Sequence, residues 1–221
     1  MKVHPPKAVD SWREFFVEIV IIVIGIAIAL GAEEMLSDYH SQKQVAVVQE
    51  SLDEELSDSL FAARERLKLA NCQQTTLDQL DSAAHSDAPK LGEVPATSVR
   101  LLGSAAWDAA VASGIVEEME HDERYDYATL FSIVRTLHEW NTRERELWAI
   151  VRAYGRTPPA TADARHRLAE AVSQLRSLTG TATLASRQFV EIAGQLDLKL
   201  APADLAELRE PVRCPAGAAA R

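Results

Sequence analysis

The first hydrophobic stretch of the chain has no polar face. Ile19 to Ala32 is an unbroken uncharged run, and Phe15, Phe16 and Val17 extend it to 18 positions interrupted only by Glu18. At 1.5 Å per residue this spans roughly 27 Å, close to the ~30 Å hydrocarbon core of a bilayer. A helix wetted by water needs one polar side over such a length. The pattern therefore predicts a transmembrane helix over residues 15–35, preceded by a short tail at 1–14. From Val45 the pattern changes to a stripe: Val45, Val48, Leu52, Leu56, Ser59, Ala63, Leu67, Ala70, Gln74, Leu77, Asp81 and Ala84, with Glu, Asp, Gln and Arg filling the gaps. Steps near 3.6 predict one long helix continuing the span. The polar members of the stripe argue against a strict two-stranded coiled coil.

The segment His85 to Pro95 reads as a loop from its Pro and Gly content. A second helix is expected over Thr97–Ser113, rich in small residues, with Trp107 as its one large plug and Gly114 as a left-handed cap. The third helix has the clearest period: Leu130, Ile133, Leu137, Trp140, Glu144, Leu147, Val151 and Tyr154, widened by Phe131, Val134 and Trp148. Asn141 to Glu146 supplies its polar side. After the break Gly155 to Pro159, Thr157 and Pro158 suit an N-cap and first helical position. A last long helix follows through Leu168, Val172, Leu175, Leu178, Ala182, Ala185, Phe189, Ile192 and Leu196, with Gly180 as a point for a kink. Pro202–Glu210 suits a short helix, and 211–221 a flexible tail. No alternating β pattern occurs. The expected fold is all-α: a transmembrane helix running into a long helix, and an antiparallel extracytoplasmic helical bundle over 36–210.

Charge orients the anchor. Lys2, Lys7 and Arg13 precede the apolar run, balanced by Asp10, Glu14 and Glu18, so the formal net charge of −10 falls on the remainder. Glu33, Glu34 and Asp38 follow the run, with Lys43 the one cation nearby. The positive-inside rule puts the N-terminus in the cytoplasm and the larger part across the membrane. A domain this acidic repels nucleic-acid phosphates and anionic lipid surfaces, which excludes nucleic acid as a partner. The bilayer itself is the first expected partner. A cleaved signal peptide is the rival, with Ala27-Ile28-Ala29 or Ala29-Leu30-Gly31 as small-x-small sites. Glu18 at the start of the apolar run and the helical run-on beyond Glu33 favour a retained anchor.

Candidate chemistry is thin. Cys72 and Cys214 match no CxxC or zinc spacing. Outside the cytoplasm they can close a disulfide that pins the tail to the helix carrying Cys72; otherwise they are one half-buried thiol and one loose one. Gly25 and Ala29, then Ala27 and Gly31, are four apart, a spacing that allows membrane helices to approach closely. Glu18 interrupts the apolar run; an acidic group there is costly unless hydrated or paired, and it is read as hydrated at the membrane edge. Glu117 and His121, four apart in an acidic turn, lack further metal ligands. His138 and Glu144 read as satisfied polar groups near the bundle surface. There is no GxSxG, HExxH or glycine-rich phosphate loop. No residue is nominated as catalytic, cofactor-binding or metal-ligating, and no cofactor is expected.

Two blocks carry a resemblance. Glu18 to Leu30 (Glu18-Ile-Val-Ile-Ile-Val-Ile-Gly25-Ile-Ala-Ile-Ala-Leu30) and Ala106-Trp107-Asp108-Ala109, continuing to Ser113-Gly114, are similar to the anchor and second block of a bacterial membrane-anchored family classed only as a domain of unknown function. The match spans the anchor and the middle of the chain, not the last third. It departs at Gly31-Ala-Glu-Glu-Met35, where members usually carry Asn and Trp. The resemblance implies an uncleaved anchor and an envelope location in bacteria, and it brings no activity.

Three functions are compatible with these features. The first is a membrane-tethered helical interaction or sensory module of the bacterial inner membrane, not an enzyme, working through a protein partner or self-association. With fewer than 20 residues expected on the cytoplasmic side, its signalling partner would be a separate chain. The second is a small-ligand-binding bundle, with Trp107, Trp140, Trp148 and Tyr154 as lining candidates. The third is an envelope enzyme, which lacks a visible nucleophile–base pair.

Overall fold

The structure is a computed structural model that describes residues 12–86, 100–157, 159–212 and 214. The described residues form five α-helices and one 3-10 turn, with no strand among them. These are α1 (Trp12–Ala84), α2 (Ala105–Ser113), the turn Ile115–Glu118, α3 (His121–Arg156), α4 (Ala162–Ala193) and α5 (Pro202–Arg209). The fold is all-helical, with one long apolar N-terminal helix. The chain divides into two units at Val47/Val48.

The first unit holds the apolar run. α1 is long and apolar enough here to cross a membrane, and none of its most apolar 18-residue window is buried. Ile21, Ile24, Ile28 and Leu30 all stand exposed. A Cβ built on Gly25 or Gly31 meets nothing within 4 Å.

The second unit is built on the later part of α1 together with α3 and α4. Leu77, Leu80 and Ala84 of α1 pack with Leu147, Trp148 and Val151 of α3 and Leu168, Ala171, Val172 and Leu175 of α4. Each fully buried Leu or Val contributes about 1.5–3 kcal/mol. Contact pairs give the helix directions. Asp53 meets Tyr127 and Arg66 meets Glu144, so α1 and α3 run the same way. Glu144 meets Thr179 while Tyr154 meets Arg167, so α4 runs opposite to α3. A strictly alternating up–down order does not describe these helices, because the connection from α1 to α3 returns the chain to the same end.

The buried face of α1 differs from the sequence stripe in its middle. Leu67 and Asp81 are half-buried and Gln74 is exposed. Arg66, Gln73 and Leu80 take the inward positions instead. A 3.6-residue period drifts against a 3.5-residue one, and reading along apolar residues had passed over two polar ones that point inward.

Two helix starts also move. α2 begins at Ala105, because both carboxylate oxygens of Glu55 on α1 accept its first amides, from Ala105 at 2.9 Å and Ala106 at 2.9 Å. A Cβ on Gly103 would lie 2.6 Å from Glu55 Oε1, so this approach requires glycine. Of the expected Thr97 start, residues 97–99 lie outside the described residues. Gly114 closes α2 at φ 77° as expected, its amide donating to the Val111 carbonyl. α4 is capped by Thr161, whose Oγ1 accepts from the Ala164 amide at 3.2 Å, and not by Thr157, which ends α3. α4 ends at Ala193, short of Leu196, and passes through Gly180 as one helix. α5 forms as expected, with Pro202 in its first turn.

Candidate functional site

The interior of the second unit contains a polar layer. Each of the three long helices interrupts its apolar face with buried polar groups: Ser59, Arg66 and Gln73 on α1, Asn141 and Glu144 on α3, Thr179 and Ser186 on α4. Arg66 Nη2 donates to Glu144 Oε2 at 2.7 Å and to Asn141 Oδ1 at 2.8 Å. Thr179 Oγ1 donates to the other carboxylate oxygen of Glu144 at 3.2 Å. The Asn141 amide then donates to the Arg100 carbonyl at 3.1 Å. Glu144 is fully buried, in contrast to its expected place near the surface, and Asn141 leaves the polar side for the core. Arg66 supplies the reason, because a buried carboxylate persists only when paired and hydrogen-bonded.

A cavity of about 20 Å³ adjoins this layer, lined among others by Arg66, Leu137, Asn141 and Ser186. It has room for about one water molecule. Arg66 Nη1 and Ser186 Oγ are buried without a protein hydrogen-bond partner, as are Gln73 Oε1 and Trp148 Nε1.

Arg100 connects the layer to the surface. Its Nε donates to Glu65 Oε2 at 2.8 Å and its Nη2 to Glu207 Oε1 at 3.2 Å. Its guanidinium sits 4.3 Å from the centroid of the Phe61 ring. The hydrogen bond it donates to Glu65 raises its pKa above the ordinary arginine value, against a smaller opposing effect of burial.

A second polar corner joins α1 and α3. Tyr127 Oη donates to Asp53 Oδ1 at 2.6 Å. Burial, then this bond, pushes the phenol well above its usual pKa. Burial raises the Glu123 carboxyl as well, helped by the nearby negative charge of Asp53 and Glu120 and partly offset by a hydrogen bond from Gln49.

The residues singled out in the sequence are scattered. Glu18 is exposed on α1. Glu117 and His121 fall on the 3-10 turn and the start of α3, not on one helix. Arg124 Nη1 donates to Glu117 Oε2 at 3.0 Å and its Nη2 lies 3.5 Å from His121 Nδ1. Among the described residues no group of three His, Cys, Asp or Glu converges to hold a metal. His138 is exposed, its Nδ1 2.8 Å from the Leu102 carbonyl. Trp107 is a core residue, stacked on Phe131 at 5.5 Å between centroids, and Trp148 is fully buried. Cys72 and Cys214 form a disulfide with Cα atoms 5.3 Å apart, a separation that suits the bond.

Sequence reading missed Arg66 and Asn141. The available signal was Glu144 itself, an acid on an otherwise apolar stripe that requires a cation opposite. Comparison with protein-family models, curated proteins and solved structures finds no match for this chain.

Proposed function

We propose that the chain is a single-pass protein of the bacterial inner membrane whose helical bundle lies in the periplasm and serves as an interaction or sensory module. The wholly exposed apolar segment of α1 carries the reading, since burying it in lipid gains about 25 cal/mol per Å² of apolar surface. The charge asymmetry across the segment supports a cytoplasmic N-terminus. The Cys72–Cys214 disulfide supports an oxidising compartment. The burial of Glu144 against Arg66 favours an interaction role over catalysis. Glu144 has no access to solvent and is held by Arg66, so it offers no route for proton transfer to a substrate. Trp107 and Trp148 are instead buried in the core, which favours packing over ligand contact for these two rings.

Fractionation tests placement. The chain is expected to resist alkaline carbonate extraction at full length, and its C-terminal part to be digested by protease added to spheroplasts. A carbonate-soluble, shortened chain would mean a cleaved signal peptide; a protected C-terminal part would reverse the orientation. In-cell crosslinking tests the role. A reproducible protein neighbour or a second copy is expected, and a chain with neither is not an interaction module.

A further inference from the structure

Residues 199–212 and Cys214 are fixed to the rest of the second unit by a few contacts. Ser57 Oγ donates to the Lys199 carbonyl at 2.8 Å and Lys68 Nζ to the Glu207 carbonyl at 2.9 Å. Arg100 pairs with the Glu207 carboxylate at 3.2 Å. The Cys72–Cys214 disulfide adds a covalent tie, joining residues 142 apart in sequence. α5 buries none of its residues, although Leu200 just before it is buried. An eight-residue helix is not stable alone, and exposed ion pairs and hydrogen bonds hold weakly. Below the segment lies a cleft of about 210 Å³ floored by Phe61 and Leu69 on one side and Leu208 and Val212 on the other. None of the packed core of α1, α3 and α4 around Trp148 comes from this segment. The bond that retains it is thus separate from the packing that keeps the domain folded.

We propose that the disulfide is a redox latch. Its reduction frees residues 199–212 and Cys214 from α1, opens the Phe61–Leu69–Cys72 face and releases Arg100 from Glu207, while the three-helix core stays folded. Cys214 is exposed and Cys72 is buried, so attack comes at Cys214. The reductant is a dithiol. One thiolate bonds to Cys214 Sγ as the S–S bond breaks, and Cys72 leaves as a thiolate that takes a proton. The second thiol of the reductant displaces Cys214 from the mixed disulfide, and Cys214 is protonated in turn. The protein gains two electrons and two protons, and the reductant becomes a disulfide.

The test is hydrogen exchange of the full chain in detergent micelles, with and without dithiothreitol, thiol alkylation confirming reduction. Amides of α5 should exchange roughly tenfold or more faster once reduced, while those of 141–151 and 168–175 keep their protection. Trypsin should then cut after Lys199 or Arg209 in the reduced chain only. The latch is overturned by a disulfide that dithiothreitol cannot reduce in the folded protein, by unchanged α5 protection in the reduced protein, or by protection lost across α3 and α4 together. The Cys214→Ser variant should behave as the reduced chain without reductant. The Glu207→Gln variant, which keeps the disulfide, should keep α5 protected when oxidised. If Glu207→Gln alone releases α5, the ion pair and not the disulfide is the latch.

Discussion

Arg66 and Glu144 meet at 2.7 Å inside the second unit, with the Glu144 side chain at 0% exposure and that of Arg66 at 9%. They are the charged centre of a layer that joins α1, α3 and α4 through Asn141 and Thr179. Removing two charges from water is costly, and attraction repays it only when the remaining hydrogen-bond capacity is used. Both Glu144 oxygens are engaged, while Arg66 Nη1 is left without a protein partner beside the small cavity. The pair matches the three helices at one level, since a slip of one turn would leave a buried charge without its partner.

Breaking this pair from one side should be far worse than removing it. Glu144→Leu or Arg66→Met alone is expected to cost about 3–5 kcal/mol. The double variant should recover most of that loss. Urea denaturation of the full chain in micelles, followed by tryptophan fluorescence, reads all three. Equal and additive losses would deny the coupling.

Gly103 and Glu55 should also act as a unit. The Cβ of Gly103→Ala would meet Glu55 Oε1 at 2.6 Å and push the carboxylate off the first amides of α2. Loss of such a cap costs about 1–2 kcal/mol. Glu55→Ala should cost about the same, and the double variant little more than either single one. The same denaturation series measures each.

Glu123 gives a pH dependence of definite sign. Burial and the charges of Asp53 and Glu120 hold its folded pKa above the ordinary carboxylate value, so folding favours the protonated form. Its contribution is full below the unfolded pKa and is lost as pH rises through the folded one. Glu123→Gln should therefore be more stable than the parent at neutral pH, and the difference should shrink on acidification through the carboxylate range. Midpoints of thermal unfolding between pH 4 and 7.5 check this.

Trp107 is buried and stacks on Phe131. Trp107→Ala should cost about 3–5 kcal/mol, and Trp107→Phe substantially less. Were Trp107 a ligand platform instead, truncation would leave unfolding midpoints nearly unchanged.

The apolar run at Ile19–Ala32, the stripe of α3 and the Gly114 cap were legible from residue order. Each depends on local period or on one residue's own conformational preference, which acts without distant partners. The same holds for the all-helical class and for α5, introduced by Pro202. The buried face of α1 around Arg66 and Gln73 was not legible, because a polar residue reads as outward until its partner is known. The partners of Arg66 stand 75 and 78 positions away. The start of α2 was hidden for a similar reason, since its cap comes from Glu55, 50 and 51 positions earlier. Sequence alone likewise left Cys72 and Cys214 as either a disulfide or two thiols. The order of residues determined which segments are helical and which one is apolar throughout. Only the tertiary structure decided which polar groups enter the core and whether the two cysteines meet, because those outcomes depend on charges and thiols brought together from distant parts of the chain.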